Sequence, residues 1–433
     1  MAQKGIREFD AKRLLAKAVN DAGQLTGSAL RFEDRLVLVT PETNVAGLPA
    51  AYPWLVGAKL VCKPDQLFGK RGKNNLLYVN KSFDEVAAWI DERMNKEVTI
   101  EGAGGQTAGT LTHFLIEPFV PHEAEYYLAF TAGHEEDKIH FSTQGGVDIE
   151  SVWDTVVTIK VPVLGTLDKA ALAAALPEVQ DKAQVASFIA TLYQIYVDYH
   201  FTYLEFNPIT FSDGKLVPLD CVAKLDDTAA FQCAEKWGKM TFPKAFGSTA
   251  TPEEAYIASL DEKTGASLKL TVLNPNGRVW PMVAGGGASV IYADTVVDLG
   301  FANELACYGE YSGDPSTELT YEYAKTLLDL MTRVPDPQGR EKFLLIGGGI
   351  ANFTDVAKTF TGIIQALKAY KDKLHSSHVK IFVRRGGPNY KEGLENIRRA
   401  GKEIGVPIEV YGPETHMTRI VSMALKGGNS NAS

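Results

Sequence analysis

Cysteine is scarce in this 433-residue chain: Cys62, Cys221, Cys233 and Cys307 lie far apart, with no Cys-x-x-Cys pair. That excludes a disulfide framework and points to a reducing compartment. Positive charge is not in excess either, since 44 Lys and Arg face 53 Asp and Glu, for a net charge of −9. Proteins that coat phosphate backbones are usually basic, so general nucleic-acid binding is disfavoured, while local anion sites stay open. Long hydrophobic runs are missing. The longest, Val279 to Ala293, contains three consecutive glycines and falls short of the ~20 apolar residues that span a bilayer. The opening stretch Met1 to Asp10 has no apolar core of signal-peptide type. The expectation is a soluble, cytoplasmic protein with no membrane contact. A hydrophobic fraction of 45% and a charged fraction of 22% exclude a largely disordered chain.

Several catalytic patterns are absent as well. The eight histidines make no metal-ligand motif; the closest pair is His375-Ser-Ser-His378. There is no Gly-x-Ser-x-Gly nucleophile elbow and no Walker A loop. Two glycine clusters, Ala284-Gly-Gly-Gly-Ala-Ser-Val290 and Gly347-Gly-Gly-Ile-Ala-Asn-Phe-Thr354, each follow a strand and open a helix. Neither completes Gly-x-Gly-x-x-Gly, because Val290 and Asn352 stand at the last position, so a dinucleotide fingerprint is not supported. What survives is a helix N-terminus with free N–H groups able to face an anion.

What is present falls into two halves. Length alone suggests about three domains. Up to about Pro243 the pattern is mixed α+β: a helical stripe over Phe9–Ala22, short strands at Arg35–Thr40 and Lys59–Cys62, and a capping box Ser82-Phe-Asp-Glu85 opening a helix. Close-spaced strands follow at 111–117, 125–131, 138–142 and 155–161, then helices near 169–176 and 181–199. A strand pair at 202–206 and 215–220 turns at Asp213-Gly214. Beyond a Pro/Gly/Ser/Thr-rich boundary at 243–252, apolar strands alternate with amphipathic helices, which argues for a parallel sheet with helices on both faces. The division expected is 1–243, 244–425, and a disordered tail over 426–433.

Four segments could carry chemistry. Lys63-Pro-Asp-Gln-Leu-Phe-Gly-Lys-Arg-Gly-Lys73 ends a strand in a lysine and continues as a glycine-containing cationic loop, suited to a triphosphate; a solvated basic hairpin has the same composition. Leu204-Glu-Phe-Asn-Pro208, with Asp220 after the hairpin, would set Glu205, Asn207 and Asp220 side by side, oxygen donors of the kind Mg²⁺ prefers. Val383-Arg-Arg-Gly-Gly-Pro-Asn389 puts two arginines at the ligand-binding edge of an α/β sheet, where a guanidinium fork matches a carboxylate. Ile116-Glu-Pro-Phe-Val120 reads as a strand running into an extended linker whose backbone could meet an adenine edge. No phosphoryl acceptor is evident, which suggests that the acceptor lies on a partner.

These segments, together with Ile116 to His122, Thr202 to Pro208, Lys269 to Pro275, Met282 to Val290, Tyr308 to Gly313, Phe382 to Asn389 and Glu414 to Thr418, resemble the ATP-citrate lyase family over nearly the whole chain. The likeness is to the N-terminal part of the animal enzyme, and more closely to the separate smaller subunit of plants and some bacteria. It implies an α+β ATP-grasp domain, then an α/β flavodoxin-like domain of succinyl-CoA synthetase β type with a parallel sheet. It also implies cleavage of citrate with ATP and CoA to acetyl-CoA, oxaloacetate, ADP and phosphate, through phosphohistidine, citryl-phosphate and citryl-CoA. The phosphohistidine context and the carbon–carbon cleaving module are missing here, so a larger partner subunit is implied.

Carried over by position, Lys63, Arg71, Gly72, Pro118, Val120, Glu125 and Asp220 would hold ATP, with Asn207 and Asp220 facing its Mg²⁺. Asp261, Thr264 and Ala266 would form a further cation site. Ser312, Gly313, Asn352, Thr354, Tyr370 and Arg385 would bind citrate, and the helix beginning at Gly287-Ala-Ser289 would point at the phosphohistidine. Cys221 stands at a variable position and touches none of these roles. Two other readings fit the same family: the equivalent subunit of a citryl-CoA synthetase, and a non-catalytic citrate sensor. Lys63, Asn207 and Asp220 argue against the sensor, which needs no Mg-nucleotide site.

Overall fold

The fold is taken from a computed structural model that describes residues 3–26, 31–102, 105–146, 149–212, 214–248, 250–263 and 265–427. The chain divides into two compact units, Met1–Thr249 and Ala250–Ser433, rather than the three that length suggests. The last helix of the second unit, Arg419–Lys426, takes in Lys426, the first residue of the expected tail; residues 428–433 lie outside the described residues.

In the first unit an antiparallel sheet runs in the order Gln3–Ile6, Cys221–Asp226, Phe201–Ser212, Tyr126–Thr131, Glu136–Ser142, Val157–Pro162. Lys215–Pro218 folds back on the far half of Phe201–Ser212 and is joined by the short parallel strand Arg31–Phe32. The helices Glu8–Thr26 and Lys182–Asp198 share one apolar core with this sheet. Ala11, Leu15 and Val19 form the buried stripe of the first helix, and the burial of that stripe, more than propensity, holds it. A second antiparallel sheet has the order Val37–Val39, Phe114–Pro118, Leu60–Pro64, Tyr78–Lys81. Helix Phe83–Arg93 packs on it, started by the Ser82–Glu85 capping box.

The strand expected at 202–206 is longer, and the single strand expected at 215–220 ends at Pro218, with a second strand starting at Cys221 after Leu219-Asp220. The sequence pattern does not announce the paired strands 97–102 and 105–110, whose three glycines, Gly102, Gly105 and Gly109, and frequent polar residues hide them.

The second unit is built on a six-stranded sheet, Ser267–Val272, Cys307–Ser312, Val279–Ala284, Lys342–Gly348, Val379–Arg384, Ile408–Tyr411. All neighbouring pairs are parallel except the first, so the parallel expectation fails at that edge. Strand Val279–Ala284 is buried throughout, with Trp280 and Met282 in the core on one face and Val279 and Val283 in the core on the other. That is why it reads as a continuous apolar run. Helices Thr317–Arg333, Val356–Ala369 and Tyr390–Ile404 cover the first face, and Gly286–Asp298 and Arg419–Lys426 the second. The four central parallel strands all end on one edge, where the glycine loops and Arg385 follow them.

Candidate functional sites

The first unit holds a cavity of about 520 Å³ lined by Lys63, Arg71, Gly72, Pro118, Val120, Glu125, Asn207 and Asp220. The whole nucleotide set proposed from the sequence therefore meets at one place. Lys63, 2% exposed, sits near the end of strand Leu60–Pro64. Its ammonium donates to Glu8 Oε1 and Leu219 O at 2.6 Å each and lies 3.1 Å from Glu117 Oε2. Arg71 reaches Glu8 through Nη1 and Asp220 Oδ1 through Nη2 at 3.2 Å. Its Nε is buried with no hydrogen-bond partner among the described residues.

Beneath them, Lys12 is fully buried between Glu117 Oε1 at 2.6 Å and Glu8 Oε1 at 2.7 Å. Three cations, Lys12, Lys63 and Arg71, are thus balanced by Glu8, Glu117 and Asp220. Burial opposes ionisation of Glu8, but Lys12, Lys63 and Arg71 together hold its pKa well below the usual carboxylate range. Burial likewise opposes the charge on Arg71, and Asp220 and Glu8 more than offset it, raising its pKa. Asp65, two residues beyond Lys63, accepts the N–H groups of Glu8 at 2.8 Å and Phe9 at 3.1 Å, and so caps the first helix from across the fold. Burial, then the charge of Glu8, pushes Asp65 up to about 6.

Asn207 and Asp220 both line the cavity, whereas Glu205 does not. Between Phe206 and Ile209 the strand advances three residues while its partner advances from Leu128 to Tyr126. This bulge breaks the alternation that would have kept Glu205 beside Asn207. Glu205 instead accepts hydrogen bonds from Tyr203 and Tyr127, and burial raises its pKa. Asp220 Oδ1 accepts Cys221 N–H at 3.0 Å as well as Arg71. Its side chain is 40% exposed, so a carboxylate in the break between two strands and an amide at the bulge of the neighbouring strand share the cavity wall, with room for phosphate and water. That is a donor set Mg²⁺ accepts. At the other end of the cavity, His122 bridges Val120 O and Glu125 Oε1, 2.8 Å each.

In the second unit, the two arginines part company. Arg384 spends its guanidinium on backbone carbonyls: Thr415 O at 2.8 Å, Gly348 O at 2.9 Å and Pro413 O at 3.2 Å. Arg385, 4% exposed, gives Nη1 to Gly349 O at 2.7 Å. Its Nε is buried and without a partner among the described residues. Burial lowers its pKa. Gly348 has φ +152°, and a Cβ there would stand 2.8 Å from Arg385 Nη1, so the loop passes the arginine only as glycine.

Ser312, Gly313, Asn352 and Thr354 lie on the same sheet edge; Ser312 Oγ donates to Glu310 Oε1 at 2.6 Å. Tyr370 is not brought to them. It ends helix Val356–Ala369, roughly 20 Å along the axis from Thr354 at 1.5 Å per residue, and its hydroxyl donates to Asp329 Oδ1 at 3.3 Å. Gly287 and Ala288 open helix Gly286–Asp298, but the Ser289 side chain is buried and turned inward, donating to Gly285 O at 3.0 Å.

The further cation site is occupied by protein. Asp261 Oδ1 accepts Leu268 N–H at 2.7 Å and its Oδ2 pairs with Lys269. Ala266 lies against Gly313, and Thr264 is outside the described residues. No group of three or more His, Cys, Asp or Glu is poised for a metal among the described residues.

Sequence reasoning missed Glu8, Lys12, Asp65, Glu117 and His122 as parts of this machinery. A signal existed for the first two: a Glu and a Lys four apart, in register with the apolar stripe Ala11, Leu15, Val19, are charges on a buried face. Glu117 likewise interrupts the apolar strand Phe114–Ile116. Among the described residues no helix is long and apolar enough to cross a membrane.

The comparisons agree across both units. The family described as ATP-citrate synthase ATP-grasp domain matches residues 2–237, and that described as ATP citrate lyase citrate-binding matches residues 248–427. ATP-citrate synthase alpha chain protein 2 of Arabidopsis thaliana is 50% identical over 429 residues, covering 98% of this chain and 99% of that one. ATP-citrate synthase of Homo sapiens is 50% identical over 432 residues, but the match takes in only 38% of that longer protein. The structure of ATP citrate lyase from Methanothrix soehngenii in complex with citrate and coenzyme A aligns with a TM-score of 0.88 at 52% identity, over 98% of this chain and 100% of that one. With a family match over each unit and relatives half identical along its length, this chain, an ATP-grasp unit followed by an α/β unit, belongs to the ATP-citrate lyase family.

Proposed function

We propose that the chain is the nucleotide- and citrate-handling subunit of a cytoplasmic ATP-citrate lyase. With a larger partner subunit it converts citrate, ATP and CoA to acetyl-CoA, oxaloacetate, ADP and phosphate by way of phosphohistidine, citryl-phosphate and citryl-CoA. The observation that carries this reading is the cavity in which Lys63 and Arg71, both buried, face Asn207 and Asp220. A polyphosphate entering there competes with Glu8, Glu117 and Asp220 for the cations, and Arg71 Nε is a donor with no partner among the described residues. Mg²⁺ arriving with the nucleotide would supply charge neutralisation at the phosphates, held by Asn207 and Asp220. Asp220, bonded to Arg71 through Oδ1, would be a carboxylate ligand for that ion, while Arg71 is also held by Glu8. Asp261, already paired with Lys269, does not fit a second cation and has no part in the reading.

Citrate is assigned to the edge of the second sheet, where Arg385 offers a fork and the Gly347–Thr354 loop offers neutral donors. The alpha chains of plants are matched along nearly their whole length, while the human relative is a longer single chain; that contrast supports a partner that supplies the remaining modules. The test is Asp220→Asn. Mg-ATP binding measured by calorimetry is expected to weaken about tenfold or more, with citrate binding unchanged. Equal loss of both ligands would mean unfolding, and no loss of Mg-ATP binding would refute the metal assignment.

A further inference from the structure

We propose that His122 is a positioning residue that fixes Glu125 as the acceptor for a ribose hydroxyl of the bound nucleotide, and so sets a preference for ribonucleotides. The inference rests on the nucleotide reading above. His122 Nδ1 lies 2.8 Å from Val120 O and Nε2 lies 2.8 Å from Glu125 Oε1. A carbonyl and a carboxylate only accept, so both ring nitrogens carry hydrogen and the ring is an imidazolium. Burial of the ring works against that charge, but the bonds to Val120 and Glu125 outweigh it and raise the pKa.

The pair is layered in the right order to serve a ligand. The Glu125 side chain is 38% exposed and that of His122 20%, so the carboxylate stands forward and the imidazolium behind it. With Oε1 held by His122, Oε2 is the oxygen left for a ligand. Gly146 makes room for it: a Cβ at that position would stand 2.1 Å from Oε2, and φ there is +74°. The Gly146 N–H in turn donates to Asn207 Oδ1 at 2.9 Å, tying this end of the cavity to the metal end. A carboxylate can only accept, and the donors a nucleoside offers are its sugar hydroxyls and the adenine amino group. The linker Pro118–Val120 takes the base edge in the proposed site, which leaves the hydroxyls for Glu125.

The test is calorimetry on the full chain with the magnesium complexes of ATP, 2′-deoxy-ATP, 3′-deoxy-ATP and inosine triphosphate, and with citrate as the check on folding. The unaltered chain is expected to bind at least one deoxy analogue about tenfold more weakly than ATP, the scale of one hydrogen bond to a charged group. His122→Ala should lose about tenfold in ATP affinity and bind ATP and the deoxy analogues alike. His122→Gln, which keeps a neutral donor toward Glu125, should recover part of the discrimination. Citrate affinity should be the same in all three proteins. If His122→Ala keeps the full preference for ATP over both deoxy analogues, or if the variant loses discrimination against inosine triphosphate instead, the inference is overturned. Failure of the unaltered chain to bind Mg-ATP while it still binds citrate would remove the nucleotide reading itself, and this inference with it.

Discussion

Arg384 and Arg385 are adjacent, both buried, and do different things. Each of the three nitrogens of the Arg384 guanidinium donates to a backbone carbonyl, so this side chain ties strand Val379–Arg384 to the loops around it. Arg385 keeps an Nε with no hydrogen-bond partner among the described residues at the ligand edge. Arg385→Lys is therefore expected to weaken citrate ten- to hundredfold, since lysine keeps the charge but loses the fork and a charge-assisted hydrogen bond contributes about 1.5–3 kcal/mol. Arg384→Lys is expected to lower Tm and leave citrate affinity closer to that of the parent. Citrate calorimetry and thermal melts on both variants separate the two roles; the reverse pattern would put the citrate fork on Arg384.

Glu33, on the rim of the same cavity as Lys63, shows how charge pairing enters stability. Burial opposes its ionisation, but the two-pronged bond from Arg35, with Nε and Nη2 each at 2.8 Å, and the Arg35 N–H pull it from the ordinary 4.5 down to about 2. A carboxyl depressed in the folded state stabilises the fold above its unfolded pKa and loses that contribution as pH falls through the folded one. The melting temperature should thus fall between about pH 4.5 and pH 2, and Glu33→Gln should flatten that part of the profile. An unchanged slope in the variant would show that other carboxylates carry it.

At the scale of elements, the helix Glu8–Thr26 and the strand Leu60–Pro64 are joined twice over. Glu8 takes the ammonium of Lys63, and Asp65 takes the N–H groups of Glu8 and Phe9. Asp65→Ala should destabilise the fold by about 1–3 kcal/mol in urea unfolding, the cost of a lost cap with its donors left buried. It should also weaken Mg-ATP, because Glu8 is the anchor of both Lys63 and Arg71. A stable variant with full nucleotide affinity would show that the cap does not hold the anchor.

The same pair shows what a sequence can and cannot disclose. Lys63, near the end of its strand, and Arg71 and Gly72, in the loop that follows, belong to one short cationic segment, so their common purpose is visible locally. Glu8 and Lys12 meet them only because the fold brings residue 8 to residue 63, and no local pattern records that. The elements divide the same way. The Ser82–Glu85 box announces its helix because it satisfies that helix's own N–H groups. Strand Cys307–Ser312 carries a glycine and a glutamate in six residues and is held by its neighbours in the sheet, so it and the following helix Thr317–Arg333 went unread. Tyr370 was grouped with Arg385 by resemblance, and the length of helix Val356–Ala369 separates them.

For the whole molecule the decisive question is where a phosphoryl group leaving ATP would go. The chain is acidic overall, with a net charge of −9, yet Lys63, Lys70, Arg71 and Lys73 all line one cavity, an arrangement for holding a polyanion rather than for attacking it. Among the described residues, His122 is the histidine that lines this cavity. A nucleophilic imidazole needs a nitrogen lone pair, and both His122 nitrogens face acceptors and carry hydrogen. His375 is bound to Ile404 O, and His416 to Thr418 Oγ1. The isolated chain should accordingly bind Mg-ATP and citrate, each raising Tm, by about 2.7 kcal/mol of added stability at a hundredfold excess over Kd. It should neither retain the γ-phosphoryl group of labelled ATP nor release ADP in response to citrate. Adding the larger subunit should restore both, and the products then decide between the family's chemistries: oxaloacetate and acetyl-CoA for the lyase, citryl-CoA alone for a synthetase. Citrate-dependent acetyl-CoA formation by the pure chain, or label on His122, would refute the division of labour between subunits, since the acceptor would then lie in the cavity described here.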